Sequence, residues 1–445
     1  MEAPSAIRYN VGRGEDPSED QNDLSGDYLS LQNLDDDNVD EDSHPEDETK
    51  RSIVAQDRMD DLPPWMDRYA DYRRVNHLVA LHNEIVGFCK LMEPHPEELK
   101  ERDELVRKFT NLVLSTFGET AQIDVFGSQA TGLCLPSSDI DIAIQLDEGE
   151  DGIAQEKESE EHSEQSKKEQ EIKDLENWDS PTDSPLQRLA QALRSQWMSE
   201  LSYLEVIENT RVPLVKFTHA PTDISVDVCF NQITGPLAAK LMKQYIDAMP
   251  PLRPLTFVLK YFLASRGINQ PYTGGVGSYM LQLMIVSFLQ HRERDAFNFR
   301  RPGLYNLGAL LVEFFELYST DFNFITTGFS VRFDGFYFPK GATDRKNDFW
   351  QAQRPFMLAM ENPLEPNSDV GKPSFRMQQI QRSFEVAFKV LLSHVTEPAV
   401  PAVSILASIL PATDEMRKRS TITRLKPLKA TRDNAYEPPK KRRRR

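Results

Sequence analysis

Cysteine is scarce in this 445-residue chain. Cys89, Cys134 and Cys229 stand far apart, odd in number and without CxxC spacing, which excludes a disulfide framework and an internal zinc knuckle. A reducing compartment is expected. Long apolar runs are missing as well: none approaches the roughly 20 residues a membrane helix needs, and the opening MEAPSAIRYN lacks the apolar stretch of a signal peptide. A soluble intracellular protein with no membrane partner is expected. Basic charge is also in short supply, because 52 Lys and Arg against 70 Asp and Glu leave a formal charge of −18. On its face that balance argues against a nucleic-acid partner.

The distribution of that charge weakens the objection. Residues 1–60 carry net −13 and residues 147–179 net −10, whereas residues 414–445 carry net +9. The rest of the chain is nearly neutral. Both acidic segments are poor in aromatic and β-branched residues, so they bury too little apolar surface to offset the entropy of ordering and are expected to be disordered. What remains is ample for two or three domains, and it contains no internal repeat.

Pattern reading places a helical stretch from Trp65 to Leu91, then a helix from Pro96 to Phe117 with Gly118 as its stop. From Ala121 the period changes. AQIDVFG, DIDIAIQL at 139–146 and ISVDVCF at 224–230 alternate like half-buried strands, and VPLVKF at 212–217 reads as another. A helix is expected from about Pro185 to Leu204, and helices dominate again from Pro236 to about Leu392, with one Phe- and Tyr-rich hairpin at 328–338.

Chemistry concentrates at Phe126-Gly127-Ser128 and, ten residues on, Asp139-Ile140-Asp141. Carboxylates at i and i+2 of a strand share one face, the arrangement that holds divalent cations with hard oxygen ligands. Gly127 lets the backbone approach a phosphate closely, and Ser128 offers a hydroxyl at the start of a helical turn. A third carboxylate, Asp227, sits alone in an apolar strand that can lie beside the first two. Singly, a D-x-D is most often a solvated strand face and a Gly-Ser a turn; jointly they point to metal and phosphate. Three carboxylates on one sheet would repel one another without bound metal. The GGVG at 274–277 lacks the GxGxxG spacing and follows a helix, so a dinucleotide cofactor is excluded.

The run VFGSQATGLCLPSSDIDIAI at 125–144 resembles the signature of the DNA polymerase beta nucleotidyltransferase superfamily. Within it, the chain resembles the Trf-type branch, the nuclear non-canonical poly(A) polymerases of the TRAMP complex. The resemblance covers residues 63–392 through PPWM, RVPLVKF, ISVDVCFN, PLRPLTFVLKYFLASRGIN, TGGVGSYML and RPFMLAMENPLEPNSDV in that order. It implies an α+β fold of two lobes around a nucleotide cleft: a small mixed-sheet palm and a larger helical central domain. The corresponding segments are an acidic leader (1–62), helices packing on the central domain (63–118), a palm (119–232) with a disordered insertion (147–180), the central domain (233–392) and a flexible basic tail (393–445).

The resemblance also assigns roles. Asp139, Asp141 and Asp227 would be catalytic and would hold two Mg²⁺ or Mn²⁺ ions. Gly127, Ser128, Lys260 and Ser278 would contact the triphosphate of ATP, Asn231 the ribose and Tyr279 the base. By itself Lys260 reads equally well as a lysine snorkelling off an apolar helix, and Tyr279, followed by Met280 and Leu281, as core. Relatives that add uridine carry a His next to the base, where ATP users tend to have Asn-Asp; the matching residues here are Ser368 and Asp369, which favours ATP. The reading is an RNA 3′-end adenylyltransferase that marks nuclear RNAs for exosome processing or decay. A uridylyltransferase and an inactive RNA-surveillance adaptor are the alternatives.

No RNA-recognition motif, KH-type GXXG or zinc module is present, so grip on RNA is expected to come from accessory subunits. The resemblance points to a zinc-knuckle RNA-binding protein, an RNA helicase and the exosome. The terminal EPPKKRRRR at 437–445 reads as a nuclear address, with the nucleolus as one destination, or as an electrostatic arm for RNA. Ser180, Thr182 and Ser184 are candidates for phosphorylation.

Overall fold

The computed structural model describes residues 62–66, 76–146, 184–210, 212–293, 305–341, 349–396 and 404–424. The acidic leader up to residue 61, the insertion at 147–180 with Ser180 and Thr182, and the 437–445 tail lie outside the described residues. Ser184 lies inside: its hydroxyl caps a helix by accepting from Gln187 N at 3.3 Å.

Five strands form a mixed sheet: β1 (Gln122–Phe126), β2 (Ile140–Gln145), β3 (Leu201–Ile207), β4 (Leu214–His219) and β5 (Ile224–Phe230), in spatial order β1-β2-β5-β4-β3. Only β2 and β5 run parallel. A parallel pair needs a long crossover, and β2 and β5 are far apart in the chain, with the helix Pro185–Gln196, β3 and β4 among the described residues between them. Alternation sends Ile140, Ile142, Ile144, Val215, Phe217, Val226 and Val228 to one dry face. Helices α2 (Pro96–Phe117) and α4 (Pro185–Gln196) cover it with Leu105, Phe109, Val113, Leu189 and Leu193. Pro96 in its first turn starts α2, and His95 N donates back to Glu98 Oε2 at 2.6 Å, a capping arrangement. Gly118, at φ 98°, ends it.

The second core belongs to helices: α1 (His77–Met92), α5 (Thr234–Ala248), α6 (Leu252–Ala264), α7 (Ser278–Glu293), α8 (Leu307–Glu316) and α9 (Met377–Thr396). α7 is buried almost all round from Met280 to Leu289, so it forms the axis of this lobe. α9 buries Met377, Ile380, Phe384, Ala387 and Leu391, spaced alternately three and four apart, as one apolar stripe. Phe384 meets Phe262, Phe314 and Phe315 with ring centroids 5.5 to 6.0 Å apart. The expected hairpin is present as β6 (Thr327–Ser330) and β7 (Phe336–Pro339).

Three features differ from the sequence expectation. Residues 201–204 do not continue a helix: α4 closes at Gln196, a short 3₁₀ turn (Met198–Glu200) follows, and LSYLEVI becomes the edge strand β3. Its Leu204 and Val206 face the palm core, and the period of two overrides the helical reading. The two N-terminal helices separate: α1 joins the helical core, but α2 packs on the palm, because its apolar stripe matches the sheet. Residues 404–424, expected as part of a flexible tail, dock on the helical lobe and include α10 (Asp414–Arg424). Buried Glu84 holds that segment by accepting from Ile405 N at 2.8 Å, Leu406 N at 3.1 Å and the Ser404 hydroxyl. Arg419 reinforces it from α10, donating to the carbonyls of Leu91 and Glu93 and pairing with Glu98.

Candidate active site

The face of the sheet opposite the α2/α4 core carries charge. Register places Phe126 opposite Asp141, Asp141 opposite Asp227, Asp227 opposite Lys216, and Lys216 opposite Glu205. This row crosses all five strands. Asp139 sits two residues before Asp141, just ahead of β2, and joins the same face. The loop that presents it is held from behind by Arg102 of α2, buried, whose Nη2 donates to Pro136 O at 2.8 Å and Ser138 O at 2.7 Å. The signal for Arg102 in the sequence is a charge three residues before Leu105 on the apolar stripe of a helix.

Gly127 follows β1 with φ +62°, and a Cβ there would lie 2.0 Å from Asp141 Oδ2. Backbone conformation and close approach both demand glycine. Ser128 lies in the five-residue α3 (Gly127–Thr131), beside the same carboxylate strand. Two cations of the helical lobe, seven residues apart on one face of α6, reach the loop after α3. Arg253 Nε donates to Gly132 O at 3.3 Å and Lys260 Nζ to Leu133 O at 3.3 Å. Lys260 thereby stands beside the aspartates. Burial holds its ammonium below the ordinary lysine range, a shift that Cys134 and the carboxylates of Asp141 and Asp139 offset only in part.

Lys216 is the functional residue that the strand pattern concealed. Its Nζ donates to Asp139 Oδ2 at 3.0 Å and lies 2.9 Å from Asp227 Oδ1, so one ammonium spans carboxylates from two strands. Burial lowers its pKa, but the bonds to and charges of Asp227 and Asp139 outweigh it and hold the group above the ordinary lysine range. Asp141 makes no such pair; burial first, then the charges of Asp227 and Asp139, push its carboxyl up to about 7. Burial also raises Asp227. Among the described residues no three His, Cys, Asp or Glu side chains already close on one ion. The donor set nevertheless fits divalent cations. Three oxygen ligands share one face, one carboxylate is starved of positive charge, and a lysine ammonium serves two of them as stand-in cation.

The other sequence candidates fall into two groups. Ser278 is exposed at the first turn of the 16-residue α7, and Tyr279 beside it is partly buried. The buried Tyr279 hydroxyl has no hydrogen-bond partner among the described residues, and burial pushes it up to about 12. Asn231 and Asp369 instead have internal tasks. Asn231, at φ 51°, accepts from Leu146 N at 3.0 Å and so ties β5 to the end of β2, four residues beyond Asp227. Asp369 is buried, and its Oδ1 accepts from Met360 N at 2.9 Å and Gly371 N at 2.7 Å, shaping the 361–371 loop. Ser368 closes a turn of that loop, its N–H donating to Glu365 O at 3.0 Å. Neither makes a hydrogen bond or ion pair with the aspartates among the described residues.

This geometry has counterparts in known proteins. Residues 81–247 match a family model described as the central palm domain of mitochondrial-like poly(A) RNA polymerase, and residues 306–368 match the Cid1 family poly A polymerase model. The poly(A) RNA polymerase CID14 of Cryptococcus neoformans is 32% identical over 319 residues, covering 72% of this chain and 37% of that protein. A Drosophila melanogaster relative named inactive non-canonical poly(A) RNA polymerase protein Trf4-2 is 33% identical over 339 residues, covering 75% of this chain and 74% of the relative. The solved polymerase core of TRAMP, a RNA surveillance complex, superposes with a TM-score of 0.61 at 27% identity, covering 78% of this chain and 99% of that one. The Cid1 poly (U) polymerase shares the fold with a TM-score of 0.55 at 18% identity, covering 74% of this chain and 97% of that one. The chain spans 36 to 47% of four of the poly(A) polymerase relatives it matches. A nucleotidyltransferase palm with its aspartates in register, a helical lobe matching the associated domain, and a relative of comparable length together settle the kinship: the chain belongs to the Trf-type non-canonical poly(A) RNA polymerases.

Proposed function

We propose that this chain adds adenosine to RNA 3′ ends without a template, using ATP. The observation that carries the reading is the row Asp141–Asp227–Lys216 with Asp139 bonded to the same ammonium. The 3′-oxygen attacks the α-phosphorus in line, the bond from that phosphorus to the β-phosphate oxygen breaks, pyrophosphate leaves, and the hydroxyl proton is lost. Asp139 and Asp141 would hold two divalent ions with Asp227. When bound, such ions acidify the attacking hydroxyl and neutralise the leaving phosphates.

The protein's residues do the positioning. Gly127 and Ser128 flank Asp141 on the β1 side, which assigns that side to the triphosphate. Lys260, which donates to Leu133 O near Asp141 and Asp139, offsets phosphate charge from the helical lobe. Asp227 lies one strand further across the sheet and faces the acceptor, where it assists deprotonation of the 3′-hydroxyl. The unpartnered Tyr279 hydroxyl and the exposed start of α7 are the nucleotide's contacts in the helical lobe.

By the same reading the substrates are nuclear RNAs marked for exosome processing or decay, and the tail at 437–445 supplies nuclear import. An RNA-binding zinc-knuckle subunit and a helicase supply the grip that a nearly neutral body lacks. Support comes from the resemblance to the TRAMP polymerase core. The deciding experiment extends an RNA primer with each nucleoside triphosphate separately in Mg²⁺ or Mn²⁺. ATP should extend best. Better extension with UTP overturns the nucleotide choice, and no extension with any triphosphate favours an inactive adaptor. Nuclear entry of a chain lacking residues 440–445 would overturn the role given to the tail.

A further inference from the structure

Lys216 projects from β4 toward the site, while its strand neighbours Val215 and Phe217 face the opposite core with no exposure. Its ammonium lies within 3.0 Å of one oxygen of Asp139 and one of Asp227. The third carboxylate, Asp141, makes no ion pair with it. Two of three ligands are therefore held by a charge belonging to the chain. Glu205 stands opposite Lys216 in the register of β3, its carboxylate accepting the Tyr203 hydroxyl, so a further acidic residue lies on the next strand.

Resting on the metal-site reading above, we propose that Lys216 is the resident counter-ion of the metal-free site and sets its divalent affinity. Without it, three carboxylates would face one another across two strands, with Lys260, bonded to the Leu133 carbonyl, as the other cation acting on Asp141 among the described residues. With it, Asp139 and Asp227 are bridged at the span of one ammonium. Entering cations must then take those oxygens from Lys216, whose charge opposes them at short range. The lysine organises the ligands and weakens their hold on metal; the stability it gives the empty palm is withdrawn when metal enters. Release of Asp139 and Asp227 frees the ammonium to turn toward Glu205.

The two effects are separable by charge and shape. Lys216→Gln removes the competing charge with little change in volume, and Lys216→Arg replaces a point charge by a planar fork that can grip two carboxylates at once. Mn²⁺ binding to the full chain, followed by the loss of the free-ion paramagnetic resonance signal without RNA or ATP, should strengthen in the order Arg, Lys, Gln. The step from Lys to Gln should be on the order of severalfold to tenfold, as expected for a unit charge a few ångströms from the ion in a partly screened site, and the step from Arg to Lys, which changes only the grip, should be smaller. Thermal unfolding supplies a second readout: the Gln variant should melt lower than the wild type without metal and gain more from saturating Mn²⁺.

Equal Mn²⁺ affinity in all three proteins, or the reverse order, overturns the proposal. If the Gln variant does not fold, the Arg variant alone decides it, since it must bind Mn²⁺ more weakly than the wild type. Altered ATP affinity with unchanged Mn²⁺ affinity would make Lys216 a triphosphate contact and also overturn it. Because Mn²⁺ binding is measured without RNA or ATP, this failure is distinct from failure of the adenylation reading, which the primer assay tests.

Discussion

Two groups of carboxylates, one buried in the helical lobe and one partly buried in the palm, are treated in opposite ways. In the helical lobe, Glu84 accepts from two backbone N–H groups and the Ser404 hydroxyl, with Trp65 Nε1 at 3.4 Å, and Asp369 accepts from two backbone N–H groups. In the palm, Asp139, Asp141 and Asp227 crowd onto one face, and a single ammonium, that of Lys216, bridges Asp139 and Asp227 only. Donors anchored in the backbone make a carboxylate part of the scaffold. Burial first, then the charges of Asp227 and Asp139, push Asp141 up to about 7 and leave a site that wants positive charge. The contrast separates structural acids from functional ones without reference to any relative.

It is broken most directly by exchanging the expected consequences. Asp139→Ala or Asp227→Ala should lower RNA tailing by roughly 10³-fold or more, about 4 kcal/mol of transition-state stabilisation. Melting temperature without metal should change little, because each variant removes a repelling charge but also one partner of the Lys216 ammonium. Measurable tailing by either purified variant would sink the catalytic assignment. Glu84→Ala should do the reverse. It strands the donors of Ile405, Leu406, Ser404 and Trp65 and should cost about 3 kcal/mol or more of stability, read from denaturant unfolding. The properly folded fraction should keep its activity.

A smaller effect sharpens the same contrast. Burial raises Asp369 to about 6, above the roughly 3.9 of an unfolded aspartate, so the folded protein binds its proton more tightly. That contribution to stability is complete below about pH 4 and is lost as pH rises through about 6. Asp369→Asn should flatten the fall in stability over that window by up to roughly 3 kcal/mol, measured as the difference between two pH profiles. Parallel profiles would mean that the loop's N–H donors already compensate the buried charge.

Local signals were readable wherever local physics dominates. α2 runs from Pro96 to Phe117 as expected because a helix-starting proline, an acidic first turn and a terminal glycine all act within one turn of chain. β3 was misread because LSYLEVI follows a helix without a proline or glycine to mark the change, and only pairing with β4 makes it a strand. β4 begins at Leu214, after Pro213, which has no N–H to give to a ladder. The docking of 404–424 was invisible because its chief partner, Glu84, lies 320 residues earlier than Ser404.

The sequence by itself determined the ingredients of this protein: paired aspartates on one strand, an isolated aspartate on another, a glycine where no side chain is tolerated, and two segments in which most of the acidity is concentrated. These follow from periodicity, backbone conformation and composition, which are properties of neighbouring residues. Tertiary structure alone decided that Asp227 lies opposite Asp141 and that Lys216 reaches both Asp139 and Asp227. Sheet register and side-chain reach set those distances, and electrostatic coupling depends on distance in space, whatever the separation along the chain.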